Sequence, residues 1–201
     1  MAIYLKNSMF VHIPKCGGRW IKSMIENHVE GFKYSGDPIY DAHDSPDANG
    51  KQVFCFIREP ATFAHSLWHH RAKKKANKFG HKFNWQEYIR LEKECQSEDY
   101  DQFMENVANN KNAVSDYYKH YVGRYKNVQY GRMESLASDF LNILTVNNES
   151  FNEKAIRESG NNIIGKGTND SPVARDVRIR INQANVDFCK KFGYDTGIHK
   201  E

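Results

Sequence analysis

The stretch MFVHIPKCGGRW, residues 9–20, decides the fold prediction. Met9 to Ile13 is a short apolar run that predicts a buried strand, and Pro-Lys-Cys-Gly-Gly follows it as a tight turn. From Arg19 to Val29 the apolar residues recur at helical spacing, namely Trp20, Ile21, Met24, Ile25 and Val29. The stretch therefore predicts a strand, a glycine loop and a helix in succession.

The same alternation continues along the chain. Further strands are expected at Phe32–Tyr34, Val53–Ile57 and Val128–Tyr130. Helices are expected at Phe63–Ala76, Trp85–Cys95, Tyr100–Val107, Met133–Leu144, Phe151–Glu158 and Pro172–Phe192, with a glycine-rich loop between the last two. Strands alternating with helices predict an α/β protein with a parallel sheet. The 201 residues favour a single domain spanning 1–201.

Composition limits the classes of function. The net charge of +4 suits an anionic small ligand and is too weak to predict nucleic-acid binding. The four cysteines form no C-x-x-C pair, so we expect free thiols in a reducing compartment and no metal site. The sequence contains neither a signal-peptide pattern nor an apolar stretch of about 20 residues. We therefore expect a cytoplasmic protein without a transmembrane segment.

The glycine loop has the features of an anion site. Gly17 and Gly18 allow backbone N–H groups to approach an anion, and the helix that follows adds a favourable dipole. Lys15 adds a positive charge. The lysine precedes the glycines, and no Ser or Thr follows them to bind magnesium, so the pattern is not G-x-x-x-x-G-K-[ST]. A metal-dependent triphosphate site is thus disfavoured.

A second candidate anion site follows the second strand. Arg58 ends that strand, and Ser66 lies eight residues further on in the predicted helix. A guanidinium and a hydroxyl can donate to one phosphate. Loops that follow parallel strands share one edge of the sheet, so this pair and the glycine loop are expected to meet at one crevice.

Together these segments resemble the sulfotransferase superfamily. Residues 12–18 (HIPKCGG) are similar to the 5'-phosphosulfate loop of its carbohydrate sulfotransferase branch, and R-x-P at Arg58 with Ser66 is similar to its 3'-phosphate segment. Residues 131–136 (GRMESL), followed by Asp139-Phe140, resemble that branch's G-R-x-E-x-L segment. The resemblance implies a P-loop-like three-layer fold, with a central, mainly parallel sheet flanked by helices.

The resemblance also implies a donor, 3'-phosphoadenosine 5'-phosphosulfate (PAPS), and no metal. Lys15 would stabilise the leaving phosphate, and Arg58 with Ser66 would hold the 3'-phosphate, which Lys166 of the late loop would help to enclose. The 5'-phosphosulfate would be bound by the segment Cys16, Gly17, Gly18, Arg19 and Trp20. Trp20 has two possible roles, stacking on adenine or packing in the core. Arg19 stands where the family usually has Thr or Ser, so the usual hydroxyl is missing.

A catalytic base must accept the proton of the acceptor hydroxyl. Several family members place a histidine base in the segment where His43 stands, before the Val53 strand, and Glu59 is the alternative. The implied activity is sulfuryl transfer to a hydroxyl, with a carbohydrate as the favoured acceptor. Two other functions stay open: a P-loop-like nucleotide kinase, and an inactive nucleotide-binding module.

Overall fold

The computed structural model describes residues 2–36, 46–73, 85–159 and 173–197. These residues form an α/β protein that divides into two compact units. Unit 1 comprises Met1–Arg58 and Tyr121–Lys166, and unit 2 comprises Glu59–His120 and Gly167–Glu201. In the described ranges, no helix is long and apolar enough to cross a membrane.

Unit 1 is built on a mixed sheet of five described strands in the order β3-β1-β2-β4-β5. The strands are β1 Ala2–Tyr4, β2 Ser8–Val11, β3 Lys33–Tyr34, β4 Gln52–Ile57 and β5 Gln129–Arg132. β2, β4 and β5 are parallel neighbours, whereas β1 is antiparallel to both β2 and β3. The predicted parallel pairing of the two strands that carry the motifs is confirmed, but the sheet is mixed because β1, between β2 and β3, runs antiparallel to both.

Three helices belong to unit 1: α1 Gly18–His28, α6 Leu136–Val146 and α7 Glu153–Glu158. A 3-10 turn, Met133–Ser135, joins β5 to α6. The core contains α1 and α6 side chains and the aromatic residues of β2 and β4. Phe140 of α6 lies 5.9 Å from the ring of Trp20 and 6.4 Å from the rings of Phe54 and Phe56.

Unit 2 is helical in its described part. It contains α2 Pro60–Lys73, α3 Arg90–Cys95, α4 Tyr100–Ala108, α8 Arg175–Ala184, α9 Val186–Phe192 and most of α5 Ala113–Val122. Phe63 packs against the rings of Tyr117 and Tyr118 at 4.9 and 5.1 Å. These tyrosines are buried, so they serve packing here. The helix predicted at Trp85–Cys95 begins only at Arg90, and the one predicted at Pro172–Phe192 is two helices.

The turn between β1 and β2 is held by Glu149, which lies 141 residues after Ser8 in the sequence. Its carboxylate accepts hydrogen bonds from the Lys6 N–H at 3.1 Å, the Asn7 N–H at 3.0 Å and the Ser8 hydroxyl at 2.7 Å. The Glu149 residue is only 8% exposed. A buried carboxylate with three donors makes strong charge-assisted hydrogen bonds.

We expect Glu149→Ala to lower the free energy of unfolding by about 2–3 kcal/mol, because buried donors would lose a charged acceptor. Urea denaturation of the full chain measures this change. Glu153→Ala on α7 is the control, since Glu153 is exposed and bonds only to Arg157 of its own helix among the described residues. Equal denaturation midpoints for the two variants would contradict the role given to Glu149.

Candidate functional site

The candidate site begins where three parallel strands of unit 1 end. Phe10 of β2 pairs with Phe54 of β4, which pairs with Gln129 of β5. Three residues further along, Ile57 pairs with Arg132, and the β2 chain reaches Ile13. The glycine loop, Arg58 and the 3-10 turn therefore leave the sheet at the same level. Neighbouring strands are about 4.8 Å apart, so these segments lie side by side.

The backbone of the glycine loop has positive φ values at two alternate residues. Lys15 and Gly17 have φ values of 68° and 79°, while Cys16 between them does not have a positive φ. Such alternation turns successive N–H groups toward one side of the chain. A positive φ is unfavourable for lysine, since L-residues clash there, and such strain is often retained at functional sites.

The start of α1 presents unused hydrogen-bond donors. The carbonyl of Gly17 accepts from the N–H groups of Trp20 and Ile21, at 3.0 and 3.2 Å. No side chain caps the helix, and within the described ranges the N–H groups of Gly18 and Arg19 take no backbone acceptor. These donors and the positive end of the helix dipole favour a bound anion.

Arg19 and Trp20, in the first turn of α1, lie in different environments. The Arg19 side chain is exposed. Trp20 is 1% exposed, and its ring meets Phe140 edge-on at an angle of 78°. Of the two roles that the sequence left open for Trp20, its burial favours core packing over stacking on adenine. Its indole N–H is enclosed and has no hydrogen-bond partner among the described residues.

The segment at residues 131–140 supports the loop through packing. A Cβ on Gly131 would lie 2.3 Å from the Phe56 ring, and a Cβ on Gly17 would lie 2.8 Å from a methyl group of Leu136. Asp139 accepts the Arg132 N–H at 2.7 Å. The residues shared with the G-R-x-E-x-L pattern thus place α6 against the glycine loop.

A further hydroxyl beside this loop was not singled out from the sequence. Ser135, next to Leu136, has an Oγ that exposes less than 1 Å² and finds no hydrogen-bond partner among the residues described. It precedes α6 without capping it. A serine before a helix normally predicts a cap, so only the coordinates could show that this hydroxyl is unused.

The remaining predicted site residues are placed as follows. Lys15 and Arg58 are both partly exposed, and both belong to unit 1. Ser66 is partly exposed on α2 of unit 2, so its role still rests on the sequence pattern. His43 and Lys166 lie outside the described residues.

Glu59, the alternative base, has a structural role in unit 2. Its Oε1 accepts from Arg178 Nε at 2.6 Å and from Asn182 Nδ2 at 2.9 Å, and the residue is 4% exposed. We therefore assign Glu59 to holding α8 against the start of α2.

Arg180 of the same helix is also engaged within unit 2. It binds both carboxylate oxygens of Glu105 at 2.7 Å, and these hydrogen bonds lower the pKa of Glu105. Bidentate pairing uses the donors that a ligand would need. Two of the three arginines of α8, Arg178 and Arg180, are thus paired with carboxylates.

The histidines and cysteines of the described ranges form no metal cluster of three or more ligands. His65 and His69, spaced four apart, have ring centres 4.5 Å apart, and His65 Nδ1 lies 2.8 Å from the Tyr100 hydroxyl. No disulfide links the four cysteines, which are all described and buried. Burial raises the pKa of the Cys95 thiol to about 11 and that of the Cys189 thiol to about 12, so both stay protonated at neutral pH.

Comparison of the chain with family models, with curated proteins and with solved structures gave no match. The assignment of a function therefore depends on the residues and geometry of the chain itself.

Proposed function

We propose that this chain is a sulfotransferase that moves a sulfuryl group from PAPS to an acceptor hydroxyl, with a carbohydrate as the favoured acceptor. One observation carries the proposal: the glycine loop between β2 and α1, with positive φ at Lys15 and Gly17 and no side-chain cap on α1, leaves the sheet beside Arg58. The proposed arrangement is the P-loop-like three-layer fold of that superfamily. β2, β4 and β5 would be its central parallel strands.

The loop is suited to the phosphosulfate end of the donor. The N–H groups at the start of α1 would hold the 5'-phosphosulfate, with Lys15 adding a positive charge. Arg58, in the neighbouring loop, would bind the 3'-phosphate with Ser66 of α2. The absence of a Ser or Thr after the glycines favours this donor over a magnesium triphosphate.

In the proposed reaction, the acceptor oxygen attacks sulfur in line with the bond to the 5'-phosphate. A new S–O bond forms as the S–O bond to the phosphate breaks, and the acceptor proton passes to a base, for which His43 is proposed. Lys15 and the loop N–H groups stabilise the negative charge that develops on the phosphate. The products are a sulfate ester and adenosine 3',5'-bisphosphate.

Ligand choice tests this proposal directly. We expect adenosine 3',5'-bisphosphate to bind in the presence of EDTA, and ATP with magnesium to bind at least about 10-fold more weakly, because the proposed site would hold a 3'-phosphate and lacks the Ser or Thr that binds magnesium in the G-x-x-x-x-G-K-[ST] pattern. Calorimetry on the full chain measures both affinities. Adenosine 5'-monophosphate, which lacks the 3'-phosphate, is the matched control ligand.

Arg58→Ala should lower the affinity for adenosine 3',5'-bisphosphate by about 10–100-fold, because a charge-assisted contact to the 3'-phosphate is lost. The affinity for adenosine 5'-monophosphate should stay nearly unchanged. Arg157→Ala on the exposed α7 is the control variant. Tighter binding of ATP with magnesium would overturn the proposal in favour of a kinase.

Transfer is tested with labelled PAPS against a mixed panel of glycans, phenols and steroids. Label in a glycan product supports the proposed acceptor class. Binding of the bisphosphate without transfer to any acceptor would favour the inactive module instead.

A further inference from the structure

His12 lies directly against the start of the glycine loop's helix. A Cβ built on Gly18 would be 1.9 Å from His12 Cδ2 and 2.1 Å from His12 Nε2. Cβ atoms do not occur at such distances, so the imidazole in its observed position fills the space that a side chain at position 18 would need. The ring is partly buried and stacks at 6.2 Å on Phe10, two residues earlier in the same chain.

Gly17, the neighbouring glycine, packs against a different side chain, Leu136. A Cβ on Gly17 would be 2.8 and 3.0 Å from the two methyl groups of Leu136, at the start of α6. The backbone that leaves the loop is thus fixed at consecutive residues, one touched by His12 and one by Leu136. All these residues belong to unit 1.

This contact explains why glycine stands at position 18. Gly18 is the first residue of α1 and does not have a positive φ, so its backbone conformation is open to alanine. Alanine is also favoured in a helix by roughly 1 kcal/mol over glycine. The imidazole of His12 is therefore the feature that excludes a side chain at this position.

We propose that His12 is a positioning residue for donor binding: its imidazole, seated on Gly18, sets the direction in which the first N–H groups of α1 face the phosphosulfate. This inference rests on the proposed function. Anion sites made of backbone donors depend on their geometry to within about 0.5 Å, and glycines alone do not fix it. The His12 ring, which follows strand β2 directly and stacks on Phe10 of that strand, provides that constraint.

The test uses His12→Ala, Gly18→Ala and the double variant in the full chain. His12→Ala should raise the KM for PAPS and weaken adenosine 3',5'-bisphosphate by about 10-fold or more, because the N–H groups lose their fixed direction. The KM for the acceptor should not change. Gly18→Ala should weaken bisphosphate binding more than His12→Ala does, because the added methyl group would clash with the His12 ring.

The double variant distinguishes this contact from a general packing effect. Once the ring is removed, the added methyl group has room, so the double variant should bind the bisphosphate better than Gly18→Ala alone. His12→Asn, with a smaller polar side chain, provides a second measurement if His12→Ala does not fold. His28→Ala, in the last turn of α1, is the matched control and should behave as wild type.

These measurements distinguish failure of the proposed function from failure of the role given to His12 alone. Wild-type protein that does not bind the bisphosphate would overturn the proposed function, and the role of His12 with it. Wild-type protein that binds, together with unchanged affinity and unchanged KM for PAPS in His12→Ala or His12→Asn, would overturn the role of His12 alone. A double variant as impaired as Gly18→Ala would also overturn it.

Discussion

Replacing Lys15 with alanine is expected to lower the rate of sulfuryl transfer by about 10²–10³-fold, the usual cost of removing one group that stabilises developing charge. Negative charge grows on the 5'-phosphate as the bond to sulfur breaks, and Lys15 stands in the loop proposed to hold that phosphate. Steady-state assays with labelled PAPS and a reactive acceptor measure the loss.

A binding measurement separates catalysis from folding in this variant. Adenosine 3',5'-bisphosphate lacks the sulfuryl group, so its affinity should fall much less than kcat if Lys15 acts mainly on the transition state. Lys22→Ala is the control, because Lys22 carries the same charge on α1, the helix that follows the loop, and pairs with Glu26 at 3.8 Å. Unchanged turnover in a folded Lys15→Ala protein would exclude the proposed role.

The largest stability effect is expected at Glu92, in unit 2. Glu92 is 0% exposed and forms a salt bridge with Arg71, which is 3% exposed, and its other carboxylate oxygen accepts the Gln86 N–H at 2.9 Å. Glu92→Ala should lower the free energy of unfolding by about 3–5 kcal/mol, because it leaves the charge of Arg71 buried without its partner. Urea or thermal denaturation measures this loss.

Two further variants test that explanation. Glu94→Ala, on the same helix, removes an exposed partner of Arg90 and should change stability little. The double variant Arg71→Met with Glu92→Leu should be more stable than Glu92→Ala, since it removes both buried charges. A double variant that is no more stable than Glu92→Ala would show that the buried charge is not the cause.

The elements that the sequence predicted well are those whose pattern is local. The apolar run before Pro14 and the helical spacing after Gly18 predicted β2, the loop and α1, and the structure confirms their order. β4 and α4 were also predicted nearly at their observed bounds. In these segments, side-chain periodicity and turn residues act within a few positions, so the sequence alone contains the information.

One strand that was missed and one helix that was predicted with wrong bounds depend on distant partners. β1 has only three residues, and its turn into β2 is held by Glu149. The long helix predicted near the end of the chain breaks at Asn185, whose side chain accepts the Ser115 N–H at 3.1 Å at the start of α5. No pattern near Asn185 indicates this contact, since its partner lies 70 residues away.

For the candidate site, the sequence by itself determined the candidate anion-binding residues, namely the glycines, Lys15 and Arg58, and predicted that they follow parallel strands. Only the tertiary structure decided which side chains pack against these residues and which candidates are engaged elsewhere. It buried Trp20 against Phe140, paired Glu59 with Arg178, and set His12 and Leu136 against the two glycines. The reason is physical: residue type and spacing fix local chemistry, whereas packing joins side chains that are far apart in the chain.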